Sequence, residues 1–191
     1  LASTAKSSPW LERVLRADQD VALTTMSVSE LEGARDRDDA IADGAFVVVD
    51  GSCPTNLPGG DLLIVNPPAG DCYGTEVGAQ KQKPLITSWA QGDPRMRFLT
   101  LDRVTISVAN ELTPPSKQQE LVRSDRGVLI TDISTTRRTA TLIGFDVGES
   151  NWPLRRSYVL FMRNLLEEAR LHRGLDCTAL RLLLQCVEHT K

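Results

Sequence analysis

The sequence is poor in the residues that most often carry metal and nucleophile chemistry. It has only two histidines, His172 and His189, in 191 residues, and aromatic residues make up 5%. It has four cysteines, none of them in a Cys-x-x-Cys pair: Cys53, Cys72, Cys177 and Cys186. This supply of ligands argues against a structural zinc site or a mixed Cys/His metal site. We expect free thiols or at most one disulfide, and we expect no cofactor.

Long apolar runs and an excess of positive charge are also missing. No apolar stretch reaches the roughly 18 residues needed to cross a bilayer, and the formal net charge is −3. An acidic chain is poorly suited to bind nucleic acid or an anionic membrane surface. The chain starts at Leu1 without a signal-peptide pattern. We therefore expect a piece of a longer protein, with any membrane contact made through regions outside this chain.

The residues that are present predict an α/β fold. Residues 46–50, 62–65 and 139–145 form short apolar runs typical of strands buried on both faces, and helix-forming segments such as residues 9–17 lie around them. This pattern predicts a doubly wound, mostly parallel sheet. After residue 94, short strand candidates alternate with turn signals, which predicts an appended β meander. Its first two strands are expected at residues 98–101 and 104–108.

The stretch of residues 139–173 predicts a strand that ends at a polar turn and leads directly into a long helix. Ser150 and Asn151 are good capping residues, and Pro153 suits a first helical turn. An apolar stripe at helical spacing follows. Arg155 and Arg156 at the helix start oppose the helix dipole, which predicts a carboxylate partner such as Asp146 or Glu149.

Several short motifs, taken in order along the chain, resemble one known domain. They are Asp50-Gly51 after a Val-rich strand, Leu57-Pro58, Asn66-Pro67-Pro68, Ser88-Trp89, Asp93-Pro94, Phe98, Phe145-Asp146, Ser150, Pro153-Leu154-Arg155 and Arg163-Asn164. This set is similar to the class I glutamine-amidotransferase-like domain of bacterial BatA-like membrane proteins, where it follows a von Willebrand factor A domain. The resemblance covers residues 1–173 and implies a flavodoxin-like sheet. It also implies an extracytoplasmic, membrane-anchored parent protein.

The tail of residues 174–191 has no counterpart in that domain. Its Leu-rich stretch is compatible with a helix, and equally with a contact to a partner or a crystal neighbour. We therefore divide the chain into an amidotransferase-like domain, residues 1–173, and a C-terminal tail, residues 174–191.

True amidotransferases of this class use a cysteine at a sharp elbow between a strand and a helix, assisted by a histidine. Gly70-Asp71-Cys72-Tyr73-Gly74 matches the usual Gly-x-Cys-x-Gly pattern, so Cys72 is the weak candidate for a nucleophile. A proline-rich spacer separates it from the preceding strand, and Asp71 would raise its thiol pKa. Neither His172 nor His189 lies where this class of enzyme places its catalytic histidine. We predict that Cys72 is not a nucleophile.

Two strand ends carry incomplete versions of the Asp-x-Ser-x-Ser metal motif of von Willebrand factor A domains, so no metal site is predicted. Their carboxylates, Asp50 and Asp146, are expected to bond backbone N–H groups in the turn that follows each strand, or to cap a helix. They remain candidates for binding because ligands of doubly wound sheets bind at the carboxyl ends of the strands. The binding site predicted at this edge is made of Asp50, Ser52, Asn66, Trp89 and Asp146.

Two functions remain open from the sequence. The first is a non-catalytic interaction or scaffold domain, a pseudoenzyme of an envelope-associated bacterial protein, which binds protein partners such as the neighbouring domains of its parent. The second is a cysteine-dependent amidotransferase or hydrolase that uses Cys72. The missing catalytic histidine favours the first.

Overall fold

The computed structural model describes residues 1–3, 8–36, 45–55, 60–136 and 138–183. For residues 2–3, 34–36 and 172–183 it describes the backbone only. The described helices are α1 (Pro9–Arg16), α2 (Val28–Asp36) and α3 (Arg156–Leu183). The strands are β1 (Ala2–Ser3), β2 (Met26–Ser27), β3 (Phe46–Asp50), β4 (Asp61–Val65), β5 (Gly70–Cys72), β6 (Thr75–Gln82), β7 (Ile86–Trp89), β8 (Val108–Thr113), β9 (Glu120–Ser124), β10 (Gly127–Asp132) and β11 (Ala140–Ile143). Short 3₁₀ helices span Pro94–Met96, Val147–Glu149 and Trp152–Leu154.

All the described strands belong to one mixed sheet that curls into a half-barrel. Its main path runs β2-β1-β3-β4-β11-β10-β8-β6-β5, and β7 and β9 extend from β10 as a side branch. The pairs among β2, β1, β3, β4 and β11 are parallel. From β11 onward each pairing is antiparallel.

The parallel strands are buried on both faces, which explains their unbroken apolar sequences. Along β3, Val48 faces a core with α1 and α3, while Val47 and Val49 face a second core with α2. The first core contains Trp152, which packs edge-on against Tyr158 with a ring-centroid separation of 5.5 Å.

The prediction of a doubly wound, mostly parallel sheet is wrong. A doubly wound fold needs a helix between successive strands, but the described chain has three α-helices against eleven strands. From β5 to β10 the connections are hairpins and loops, so the strands pair antiparallel. The expected meander is not an appendage either, since β10 pairs directly with β11 in the same sheet. The three apolar runs do lie side by side in parallel as β3, β4 and β11.

The predictions for individual segments had mixed outcomes. The 3₁₀ helix Trp152–Leu154 and the start of α3 follow β11, as the strand–turn–helix pattern predicted. The structure has no strand at residues 98–101 or 104–107, where only Ile106 makes an isolated bridge, to Ser150. Leu99, Leu101, Val104 and Ile106 are buried although they lie in loops, and Phe98 is exposed. The predicted tail continues α3 as far as Leu183, and its remainder lies outside the described residues.

One buried ion network fixes a loop to the sheet. The guanidinium of Arg95, a residue that is 6% exposed, donates two hydrogen bonds to Asp93 and one to Asp132, at 2.8–2.9 Å. Burial opposes the charge on Arg95, yet the two carboxylates raise the pKa of its guanidinium. This network ties the 3₁₀ helix Pro94–Met96 to β10.

Candidate functional site

Three polar residues follow the carboxyl ends of three adjacent parallel strands. Asp50 ends β3, Asn66 follows β4, and Asp146 lies shortly after β11. Asp50 pairs with Val65 in the register, and the Asn66 N–H donates to the Ile143 carbonyl at 2.8 Å. The fold therefore brings these three predicted residues to one edge of the sheet.

Asp50 and Asp146 each accept a backbone hydrogen bond. Asp50, which is 8% exposed, accepts from the Ser8 N–H at 2.8 Å, just before α1 begins. Asp146 caps the following 3₁₀ helix, where its Oδ1 accepts from the Gly148 N–H at 2.7 Å. Asp146 therefore has the structural role expected for it, whereas Asp50 bonds an N–H group far from the turn after its strand. Each residue keeps a second carboxylate oxygen.

The two carboxylates are close enough to affect each other. Burial raises the pKa of Asp50, the hydrogen bond from Ser8 opposes this change, and the charge of Asp146 adds to it. Burial also raises the pKa of Tyr158 in α3, and the charges of Asp50 and Asp146 raise it further. Tyr158 therefore lies within electrostatic reach of both acids.

Two buried hydroxyl groups at this edge have no hydrogen-bond partner among the described residues. They belong to Ser8 and Tyr158, which are 8% and 2% exposed. A buried hydroxyl without a partner is costly, by about 1–3 kcal/mol. We name these four residues, Ser8, Asp50, Asp146 and Tyr158, the acidic edge cluster.

No cationic side chain in the described part of the chain forms an ion pair with Asp50 or Asp146. The carboxylate partner predicted for Arg155 and Arg156 is therefore not found at Asp146. The cluster combines unneutralised negative charge with unused hydroxyls. It is open to solvent at Asp146, which is partly exposed. Such an arrangement can accept a group that carries positive charge and several N–H donors.

The other two predicted site residues are not part of the cluster. Trp89 ends β7, which β9, β10, β11 and β4 separate from β3. Its indole Nε1 is buried without a partner among the described residues, and its ring packs against the first core. Ser52 lies half-buried in the loop after β3.

Cys72 forms a disulfide with Cys53, with a Cα–Cα distance of 5.8 Å. A disulfide sulfur is not a thiolate, so Cys72 cannot act as a nucleophile in this state. Cys72 ends β5, and the two-residue loop Tyr73-Gly74 has φ values of 54° and 82° before β6 begins. Positive φ at both positions is typical of a tight β-hairpin. The Gly-x-Cys-x-Gly pattern is therefore a hairpin here, without the helix that a nucleophile elbow needs.

Sequence reasoning missed two members of the cluster. Ser8 directly precedes the predicted helix of residues 9–17, and Tyr158 belongs to the apolar stripe predicted after Pro153, so neither pattern pointed to a polar site. A tyrosine in an apolar stripe needs a hydrogen-bond partner for its hydroxyl, and this requirement is the signal that could have identified Tyr158. Among the described side chains, no group of three or more His, Cys, Asp or Glu residues converges as metal ligands do.

No protein-family model matches this chain, and no curated protein matches it. Solved structures do share its fold. Cytoplasmic protein STM3548 from Salmonella typhimurium is 11% identical with a TM-score of 0.57, over 83% of this chain and 85% of that one. Cytoplasmic protein STM1381 from Salmonella typhimurium LT2 is 11% identical with a TM-score of 0.58, over 84% and 86%. At this identity the likeness shows the fold alone.

The names of these two proteins bear on one prediction. Both are described as cytoplasmic, which contradicts the predicted extracytoplasmic domain of a membrane-anchored protein, so that prediction is wrong. The helices that the structure describes include none with the length and apolarity to cross a bilayer.

Proposed function

We propose that this domain is a non-catalytic binding domain that captures a basic segment of a protein partner at the acidic edge cluster. A lysine ammonium or arginine guanidinium group of the partner would lie between Asp50 and Asp146. The observation that carries this proposal is the pair of carboxylates at one edge with no cationic partner among the described residues.

Hydrogen bonding supports a donor-rich ligand. Asp50 and Asp146 can only accept, and each already accepts one backbone N–H. The free hydroxyls of Ser8 and Tyr158 can accept as well as donate. A cation with several N–H groups satisfies more of these atoms than an anion or an apolar group would. Charge-assisted hydrogen bonds of this kind are also the stronger ones.

The disulfide at Cys72 supports a binding role over the cysteine-dependent alternative. The partner is then a protein, for which neighbouring domains of a longer parent chain are the first candidates.

The proposal is tested by titrating the domain with a tetralysine peptide at low salt in a calorimeter. We expect Asp50→Asn and Asp146→Asn each to weaken binding at least tenfold. Asparagine at position 50 keeps an oxygen to accept from the Ser8 N–H, so the fold is preserved. Glu76→Gln is the matched control, because it removes one exposed charge on β6, away from the edge.

Binding should also weaken as pH falls through the raised pKa of Asp50, since protonation removes the charge that the cation needs. Equal affinities for wild type, both asparagine variants and Glu76→Gln would show that the peptide binds only the overall negative charge. That result would contradict the proposal.

A further inference from the structure

A groove of about 380 Å³ lies between the loop that follows Pro94–Met96 and the start of α3. Three arginines line it, together with one aromatic and two aliphatic side chains. We call it the arginine groove and define it by Phe98, Arg103, Arg155, Arg156, Ser157 and Leu160. It is separate in composition from the acidic edge cluster, and the inference below does not depend on the proposed function.

The positive charge of this groove is not neutralised within the described part of the chain. Arg103, Arg155 and Arg156 form no ion pair there, and Asp102 is the one acidic residue of the lining. Arg155 and Arg156 also precede or begin a helix of 28 residues, where the dipole favours negative charge. The three positive charges repel one another, and those at the helix start oppose its dipole. A bound anion would therefore reduce both unfavourable interactions.

Phe98 supplies a flat apolar surface at the rim. It is 83% exposed, although the neighbouring Leu99 and Leu101 are 6% and 2% exposed. Its φ of 64° lies in the left-handed region, which costs a non-glycine residue about 1–2 kcal/mol. Burial of the residues around it holds the backbone in this conformation and turns the ring outward.

Polar contacts hold this loop rigidly against α3. The Asn164 side chain donates to the carbonyls of Arg95 and Arg97, at 3.1 and 2.9 Å. The buried Arg95 network anchors the same segment to β10. Phe98 is therefore presented by a segment that is fixed at its base, which reduces the entropy lost when a ligand orders it.

Ser157, which carries a hydroxyl, also lines the groove. It is 7% exposed, and its oxygen accepts a hydrogen bond from the Trp152 indole at 3.2 Å. The hydroxyl hydrogen has no acceptor among the described residues, so it remains available to donate to a ligand oxygen. The donors around the groove thus all suit an acceptor-rich anion.

We propose that the arginine groove binds a small phosphorylated ligand with a flat ring, of mononucleotide size. Arginine forks bind phosphate oxygens in pairs, and a ring can stack on Phe98. The volume lies in the range of small-molecule sites, about 300–1,000 Å³. A long polyanion is disfavoured because the chain has a net charge of −3.

The test uses adenosine monophosphate as the probe, with inorganic phosphate and adenosine in separate titrations. We expect the mononucleotide to bind the full chain and to raise its melting temperature, and adenosine alone to bind at least tenfold more weakly. Arg155→Gln and Arg156→Gln should each weaken nucleotide binding at least tenfold. The control is Arg126→Gln, an exposed arginine beside Asp125 at the β9–β10 turn.

Phe98→Gly separates ring stacking from charge. Glycine tolerates the positive φ, so this variant should be at least as stable as wild type. It should bind the nucleotide several-fold more weakly, and its affinity for inorganic phosphate should be unchanged.

The proposal is overturned if millimolar nucleotide does not bind, or if it binds Arg155→Gln and Arg156→Gln as well as it binds Arg126→Gln. Tighter binding of a hexaglutamate peptide than of the nucleotide, lost in the same two variants, would also overturn it in favour of an acidic peptide.

Discussion

Two places in this protein that hold buried carboxylates differ in how they neutralise them. At the Arg95 network, Asp93 and Asp132 share one guanidinium that is almost fully buried. At the acidic edge cluster, Asp50 and Asp146 have no cation among the described residues, and two buried hydroxyls nearby have no partner. The first arrangement is neutralised within the described chain, while the second leaves two carboxylates and two hydroxyls without such partners there.

The pKa directions show the same difference. Burial opposes ionisation of Asp132, yet Arg95 and Ser134 more than offset it and lower the pKa of its carboxyl. Asp50 is also buried, but only a backbone N–H helps its charge, and its pKa is raised. A lowered pKa indicates a charge that stabilises the fold, and a raised one indicates a charge that the fold tolerates at a cost.

The largest effect is expected from breaking the complete arrangement. Arg95→Ala leaves the buried Asp93 and the half-buried Asp132 without their cation, and we expect it to lower the free energy of unfolding by about 3–5 kcal/mol. Urea denaturation measures this loss. Arg163→Ala, which removes an exposed pair with Glu167, should cost less than about 1 kcal/mol.

Arg95→Lys keeps the folding test informative if the alanine variant does not fold. Lysine retains the charge but cannot bridge two carboxylates with a planar fork, so an intermediate loss is expected. An Arg95→Ala loss no larger than that of Arg163→Ala would contradict a stabilising role for the network.

The second effect concerns the loop that follows Asp50. The Cys53–Cys72 disulfide closes a loop with a sequence separation of 19 and ties this segment to the β5–β6 hairpin, where the Tyr73 hydroxyl also donates to the Pro54 carbonyl at 2.7 Å. Replacing both cysteines by serine should lower the free energy of unfolding by about 3 kcal/mol, according to loop-closure entropy.

Chemical reduction provides the control for that measurement. A reductant should destabilise the wild type by a similar amount and leave the double serine variant unchanged. If the reductant has no effect on the wild type, the bridge does not form in solution.

The smallest effect is expected at the incomplete arrangement. Asp50→Asn removes an unpaired buried charge and should raise the free energy of unfolding at pH 7 by up to roughly 1 kcal/mol. Because the folded pKa of Asp50 lies above its ordinary value of 3.8, the penalty is absent below 3.8 and complete above the folded pKa. The advantage of the variant should therefore shrink as pH falls through that window.

Asp132→Asn should show the opposite sign at pH 7. Its folded pKa lies below 3.8, so the stabilising charge is present above 3.8 and is lost only as pH falls from there toward the folded pKa. Urea denaturation between pH 7 and pH 4 compares the two variants. Destabilisation by both at pH 7 would mean that the two sites do not differ as described.

The sequence predicted the local features of this edge better than the fold class. Asp50, Asn66 and Asp146 were expected at neighbouring strand ends, and β3, β4 and β11 place them there. Trp89 was expected at the same edge, yet β7 pairs with β9 on a side branch. The error arises because a strand's pattern of apolar residues reports its burial but not its neighbour.

By itself, the sequence determined where the chain is buried and where its long helix follows a strand. The unbroken apolar run of β3 requires burial on both faces whatever its partners are. Only the tertiary structure decided which charges are neutralised. Asp132 lies 37 positions from Arg95 and accepts its hydrogen bond, while Asp50 meets the field of Asp146 and, among the described residues, no cation. Such partners are brought together by folding across long sequence separations, so no local pattern of residues records them.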